Sequence, residues 1–389
     1  MNKKQLSNYV SNIIEDMKKN GDKAVFKYLK KFDGVICSKE GYKVSQKTID
    51  DAAKRVPASL KRAIKASYLN VLAYHKYEYS QIKKAWFFNK NSIKTGHFYT
   101  PVDCAGIYVP GGRFSYPSTV IMAAVPAFAA GVKRVVMVTP PQKMSDVALF
   151  AAKLCGIKEI YGIGGVAAIA ALAYGTETVQ KVDIIAGPGN IFVNEAKRQV
   201  FGAVGIDSLA GPSEVVIIAD KNVPEKFAAA DIMAQVEHDP MAKAYLFCES
   251  KEKTAKIKAL LAKNALKQLK TELCSIEKAI EKSNEIAPEH LELLVKNYKP
   301  LVKKIRHAGA VFAGYQSPTA AGDYFAGPSH VLPTESSARF SSGLSAMTFL
   351  KRSSYIELNG KNKKVYKEIA EFADAEGMIN HKRSAEARL

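Results

Sequence analysis

Seven histidines punctuate the chain, and four of them have company that could do chemistry. His238 lies in the stretch "AQVEHDP", three residues after Gln235. Residues three apart share a helix face, so an amide and an imidazole stand side by side just before Asp239 and Pro240 stop the helix. His290 follows Glu289 in "APEHLEL". A carboxylate beside an imidazole makes an acid–base pair when burial brings both titrations near neutral pH. Pro288 predicts that a helix starts here and exposes the pair on its first turn, where the helix dipole alone would favour a glutamate. His330 lies seven residues after Asp323 in a Gly-, Pro- and Ser-rich loop, and His381 lies five residues after Glu376 near the chain end. An imidazole near a chain end is ordinarily solvated. Gln235, His238, Asp323 and His381 would together supply two imidazoles, a carboxylate and an amide oxygen. That set suits Zn2+ or a similar first-row ion that must also accept substrate atoms. Neither HExxH nor CxxC spacing occurs, so spacing alone does not single the set out.

These residues need elements to hold them. Residues 1 to about 80 carry apolar positions at helical spacing, with a break at "NGD" in "VSNIIEDMKKNGDKAVFKYLKKF". From about Pro101 strands alternate with helices. "VKRVVMVTPP", "KEIYGIGG", "KVDIIAGPGN", "SEVVIIAD" and "AYLFCES" read as strands, while "VAAIAALAYGT", "IFVNEAKRQVFG" and "VPEKFAAADIMAQVEH" read as helices. Repeated strand, turn and helix predict an open, largely parallel α/β sheet. Two Gly-rich turns, "GIGG" at 162–165 and "GPGN" at 187–190, stand at the ends of such strands. They fit a dinucleotide cradle or an ordinary strand–helix connection equally well, since neither is GxGxxG. A charged helical stretch follows residue 250, then the long loop "GYQSPTAAGDYFAGPSHVLPTESSARFSSG", and the chain ends in one helix, "KEIAEFADAEGMINHKRSAEARL".

The 389 residues, 47% of them hydrophobic, suffice for two or more domains. The formal charge is +20, but lysine is spread over helix surfaces such as "KEKTAKIKALLAKNALKQLK", and no nucleic-acid-binding module is recognisable. A basic surface of this kind attracts small anions, dinucleotides among them. No apolar run approaches the ~18 residues of a membrane span, and "MNKKQLSNYV" lacks a signal-peptide core. Five cysteines (Cys37, Cys104, Cys155, Cys248 and Cys274) are scattered, as expected of reduced thiols in a cytoplasmic protein.

Longer blocks carry a resemblance. "KFDGV", "GIYVPGG", "YPSTVIMAAVPAFAAGV", "GTETVQKVDIIAGPGNIFVNEAKRQVFGAVGIDSLAGPSEV", "AQVEHDP", "APEHLEL", "HAGAVFAG", "AGDYFAGPSHVLPT", "ARFSSGLS", "FLKRSS" and "AEGMINH" together resemble the histidinol dehydrogenases over nearly the whole length. The resemblance implies oxidation of L-histidinol to L-histidine through the aldehyde, with two NAD+ reduced and one Zn2+ per active site. It implies an α/β fold of two Rossmann-like open-sheet domains with helical N- and C-terminal extensions, assembled as a domain-exchanged homodimer with shared active sites. The implied division groups residues 1–101 with 214–344 as the metal and catalytic domain, gives 102–213 to the dinucleotide, and sends 345–389 to the partner subunit. Gln235, His238 and Asp323 match the zinc ligands from one subunit, and His381 matches the fourth, from the other. Glu289 and His290 match the acid–base pair. Ser213, His330 and Glu376 match substrate contacts, to which the metal ligands and His290 also contribute. Tyr108 and Asn190 match dinucleotide contacts. Ala167 stands where the family usually has a glutamine near the dinucleotide, a lost hydrogen bond worth about 1 kcal/mol. Two other readings share these residues: a zinc- and NAD-dependent dehydrogenase of another small primary alcohol, and a zinc hydrolase in which Glu289 activates water.

Overall fold

A computed structural model of the protein describes residues 1–36, 41–111 and 116–389, leaving aside the side chains of Lys143 and His238. Cys37 and Gly112, the last residue of "GIYVPGG", lie outside the described residues. The chain divides into two compact units, residues 1–79 with 102–349, and residues 80–101 with 350–389.

The larger unit opens with three helices, α1 (Lys3–Tyr28), α2 (Gln46–Arg55) and α3 (Ala58–Gln81). As the sequence predicts, α1 breaks inside "NGD": Gly21 has φ 49°, and the Glu177 carboxylate accepts the Asp22 N–H at 2.7 Å. Strands β1 (Ala85–Lys90) and β2 (Ile93–Pro101), of the smaller unit, come next. Then follow β3 (Cys104–Tyr108), α4 (Pro117–Ala130), β4 (Arg134–Thr139), α5 (Asp146–Cys155), β5 (Glu159–Gly162), α6 (Gly165–Tyr174), β6 (Ile184–Ala186), α7 (Ile191–Val200) and β7 (Gly205–Ile206). Their strands form a parallel sheet in the order β5-β4-β3-β6-β7.

A second parallel sheet is built from β8 (Glu214–Ala219), α8 (Glu225–His238), β9 (Lys243–Cys248), α9 (Lys251–Ala259), α10 (Lys263–Gln268), β10 (Leu269–Leu273), α11 (Ile276–Ile286), β11 (His290–Leu294), α12 (Lys299–Val302) and β12 (Ala310–Ala313). Its order is β10-β9-β8-β11-β12. Counted along the chain, both sheets run third, second, first, fourth, fifth strand. The short helix α13 (Thr319–Tyr324) follows β12.

Helices cover both faces of the second sheet, so its central strands are apolar throughout rather than alternating. Val215, Ile217 and Ala219 pack toward α8 and α9, while Val216 and Ile218 pack toward α11. On β11, Leu291 and Leu293 join the α11 side, which turns His290 and Glu292 toward α8.

The first two N-terminal helices pack on the first sheet's helices rather than the second's, α1 on α6 and α7 and α2 on α5, whereas α3 reaches the end of α13, where Ser67 and Asn70 donate to the Tyr324 and Phe325 carbonyls. Val10, Ile13, Ile14 and Met17 form a stripe on α1 that shares a core with the small side chains of α6. An alanine-rich helix leaves room for exactly such a large-residue stripe, whichever sheet precedes it in the chain. No helix among the described residues is long and apolar enough to cross a membrane.

The smaller unit is an antiparallel sheet, β1-β2-β13, with β13 (Leu350–Leu358), α14 (Lys363–Ala375) and α15 (Ile379–Glu386). Asn91 and Ser92, both with positive φ, make the two-residue turn of the β1–β2 hairpin. The C-terminal extension is thus not purely helical, because it includes β13 and pairs with residues before the first large sheet. Nor is the tail one helix: Gly377, at φ 72°, separates α14 from α15.

Candidate active site

Parallel neighbours β8 and β11 begin at Glu214 and His290, so Ser213 and Glu289 sit side by side at the amino edge of the second sheet. Residues 287–290 do not start a helix. Ala287, at φ 52°, ends α11, and the chain passes through Pro288 into a fully buried central strand. The expected exposed pair is therefore buried, with Glu289 and His290 each 6% exposed. The Glu214 N–H donates to Glu289 Oε2 at 3.2 Å, Ser213 adds a side-chain hydrogen bond, and His290 Nδ1 lies 3.8 Å from the same oxygen. Burial pushes the Glu289 carboxyl up to about 8; the Asp323 and Glu214 charges push the same way, and the hydrogen bonds oppose them.

The other candidate groups reach this edge from helix ends. Helix α8 follows β8 and runs back toward the start of β9, so its last turn, with Gln235 and His238, returns to the amino edge. Asp239, with extended φ and ψ, caps it, as the Asp-Pro pair predicts. Helix α13 packs on α8 and carries Asp323 in its last turn. Gly322 lies flat on the Phe312 ring: a Cβ there would be 2.7 Å from Phe312 Cζ, so only glycine lets α13 approach this closely. The same ring sits 5.7 Å, centroid to centroid, from the His290 imidazole. His330 fastens the following loop, with Nδ1 3.0 Å from the Asp323 carbonyl oxygen and Nε2 3.4 Å from Thr119 Oγ1 on α4.

Gln235 is 2% exposed, and its Nε2 meets no hydrogen-bond partner. The Asp323 and Glu289 carboxyls oppose each other's charge, and that is an environment a cation would relieve. Among the described residues no group of three or more His, Cys, Asp and Glu side chains gathers into a metal cluster. The described donors of the proposed set in this unit are the Gln235 amide and the Asp323 carboxylate, and they fit an N/O site for a zinc-like ion. His238 is the last residue of α8. His381, on α15, and Glu376, which caps α14, belong to the smaller unit and are exposed there.

The dinucleotide candidates gather elsewhere, at the carboxyl edge of the first sheet. Tyr108 ends β3 and Gly187 follows β6, the pair of strands across which the strand order reverses. Gly187 adopts φ 120°, and a Cβ there would stand 2.2 Å from the Tyr108 carbonyl oxygen, so the turn admits no side chain. Its N–H donates to Asp207 Oδ2 at 2.8 Å, and its carbonyl accepts from Lys197 Nζ at 3.1 Å. Lys197 and Asp207 are themselves a buried ion pair. Burial holds the Tyr108 phenol up at about 12, and its oxygen takes the Gly165 N–H at 3.3 Å. Helix α6 has no side-chain cap, which leaves its first-turn amides directed at this edge. Asn190 is exposed, and its side-chain oxygen caps α7 by accepting from Phe192 and Val193 N–H at 3.0 and 3.1 Å. Ala167 is buried in the α6 core and offers only a methyl group.

Sequence reasoning missed two features. One is the Lys197–Asp207 clamp on Gly187. The other is a buried carboxyl pair, Asp231 and Glu292, beneath the Gln235 turn. A glutamate inside the apolar run "HLELL" and an aspartate inside "AAADIMA" were the available signals.

Comparison with known proteins agrees with this architecture. The model of the histidinol dehydrogenase family matches residues 1–389. The histidinol dehydrogenase of Synechococcus sp. is 44% identical over 398 residues, covering 97% of this chain and 91% of its own. That of Methanocaldococcus jannaschii is 43% identical over 396 residues, covering 98% and 92%. A crystal structure of histidinol dehydrogenase from Elizabethkingia anophelis matches with a TM-score of 0.92 at 35% identity, covering 98% of this chain and 92% of that one.

Proposed function

The chain belongs to the histidinol dehydrogenase family, and from that premise we propose that it oxidises L-histidinol to L-histidine through L-histidinaldehyde. Histidinol, two NAD+ and one water give histidine, two NADH and the released protons. The single observation that carries the assignment of roles is the Glu289 carboxyl, buried and 3.8 Å from His290 Nδ1, at the edge where the helices bearing Gln235 and Asp323 end.

His290 takes the hydroxyl proton of the alcohol while hydride leaves the same carbon. The aldehyde then adds water, because only the hydrate has a second hydride to give. Glu289 takes a proton from that water and His290 takes one from the hydrate. A carboxyl poised near 8 can give and take protons close to neutral pH, which suits this duty better than an ordinary glutamate would. Ser213, hydrogen-bonded to Glu289, keeps that carboxyl aimed at the edge. His330, fixed on both ring nitrogens, closes one side of the site and helps exclude water.

Gln235, His238, Asp323 and a second copy's His381 would hold Zn2+, which when bound supplies a charge that orients the amino alcohol's nitrogens. Tyr108, the α6 first turn and the Gly187–Asn190 turn would hold NAD+, which supplies the hydride acceptor. We assign Glu376 and His381 to the site of a partner chain in a homodimer, because both are exposed on a unit of their own.

Metal analysis of the purified protein combined with histidinol-dependent NADH formation tests the reading. One zinc per chain and two NADH per histidinol are expected. One NADH per alcohol, or none, would point to a different alcohol or to hydrolysis. Mixing inactive His381→Asn and Glu289→Gln proteins should restore part of the activity through hybrid dimers. No recovery after verified subunit exchange would remove the shared site.

A further inference from the structure

Asp231 and Glu292 are 7% and 0% exposed. Other buried acids here meet donors: Asp22 accepts from the Tyr42 and Thr178 hydroxyls, and Asp220 accepts from Tyr315 and the Lys296 N–H. Asp231 and Glu292 instead meet each other. Glu292 Oε2 contacts no N–H or hydroxyl donor, so its hydrogen bond to Asp231 requires a proton between the two carboxyls. The carboxyls rise accordingly, Asp231 to about 6 and Glu292 well above its ordinary value, with burial the first cause in each.

The pair touches three elements that carry the site. Asp231 precedes Gln235 by four residues and His238 by seven, which puts all three on one face of α8. Glu292 is two residues past His290 on β11, on the same face. Its Oε1 accepts the Thr319 N–H at 3.1 Å, which fixes the first residue of α13 and so the turn that ends in Asp323. One turn along α8 from Asp231, the Gln235 amide is buried with its Nε2 unpartnered.

We propose that the Asp231–Glu292 pair is a positioning device that locks α8, β11 and α13 together through one shared proton and so sets the spacing of Gln235 and His238 from Asp323. Neither residue touches substrate or ion. The inference rests on the metal-site reading above, and its test separates the two.

Zinc affinity is measured by chelator competition on wild type and variants, with melting temperature and steady-state kinetics alongside. Glu292→Leu and Asp231→Leu break the lock, and zinc affinity should fall by about 10- to 100-fold. The same variants should lose kcat while KM for NAD+ holds. Glu292→Gln keeps an oxygen for the Thr319 N–H and offers an N–H to an ionised Asp231, so it should stay within about threefold of wild type. Ile232→Ala, beside Asp231 but buried in the α8 core, should lower the melting temperature and leave zinc affinity alone. If one leucine variant fails to fold, the other is read in its place; if both fail, Glu292→Gln and the double variant Asp231→Asn/Glu292→Gln decide by holding or losing zinc. Folded leucine variants with wild-type zinc affinity, or Glu292→Gln losing as much as Glu292→Leu, would overturn the proposal. A wild-type protein that takes up no zinc would instead sink the metal-site reading on which it rests.

Discussion

The two large sheets share one strand order and put their candidate chemistry at opposite edges. The first uses its carboxyl edge, where helix amino termini and glycine turns gather. The second uses its amino edge, where α8 and α13 end. Helix polarity makes sense of the difference. Helix amino termini favour anions such as a pyrophosphate, and helix carboxyl termini favour cations. A fold that repeats its topology can thus offer an anion site and a cation site simply by working from opposite ends, and topology alone does not say which.

The comparison breaks first if the edges are not independent. His290→Ala, at the cation edge, should lower kcat by about 10²–10⁴-fold with KM for NAD+ unchanged. A large rise in that KM would mean that the edges are coupled. Glu289→Gln should hurt aldehyde oxidation more than alcohol oxidation, and equal losses would refute its assigned role.

Stability against pH gives the next largest effect. Glu289 titrates near 8 folded and near its ordinary 4.5 unfolded, so the folded metal-free protein holds the proton more tightly. Its contribution is fully present below about 4.5 and is lost as pH rises through about 8, a change on the order of a few kcal/mol. Denaturant titrations of metal-free protein across this window should show the fall, and Glu289→Gln should flatten it.

At the anion edge, Gly187→Ala forces a side chain against the Tyr108 carbonyl at φ 120°. It should raise KM for NAD+ by roughly tenfold and destabilise the chain by about 1–3 kcal/mol. Zinc content should not change. The smallest effect belongs to Ala167→Gln. A regained hydrogen bond is worth about 1 kcal/mol at most, and crowding of the buried α6 core works against it, so KM for NAD+ should move by a few-fold.

The alternation of strands and helices after Pro101 was legible because each strand is a short β-branched run closed by a Gly or Pro turn. The end of α8 was legible because Asp-Pro stops a helix and Gln235 and His238 fall on one face. Three features were not. "HLELL" reads as helix or strand, and only the sandwiching of β11 between β8 and β12 decides it. The β1–β2 hairpin carries aromatics on both faces and turns through Asn91-Ser92 rather than Asn-Gly, so neither its period nor its turn announces it. The family of α1 and α2 contacts is set by side-chain size across helix surfaces, which no local pattern records.

Lys197 and Asp207 grip both backbone polar groups of one residue, the carbonyl and the N–H of Gly187, and so fix the two peptide units that meet there. Removing either charge strands the other in the interior, which is worse than removing both. Descendants of this chain can therefore change the two positions readily only in tandem, and any lineage caught midway would hold a slack turn at Gly187 until the second substitution arrived.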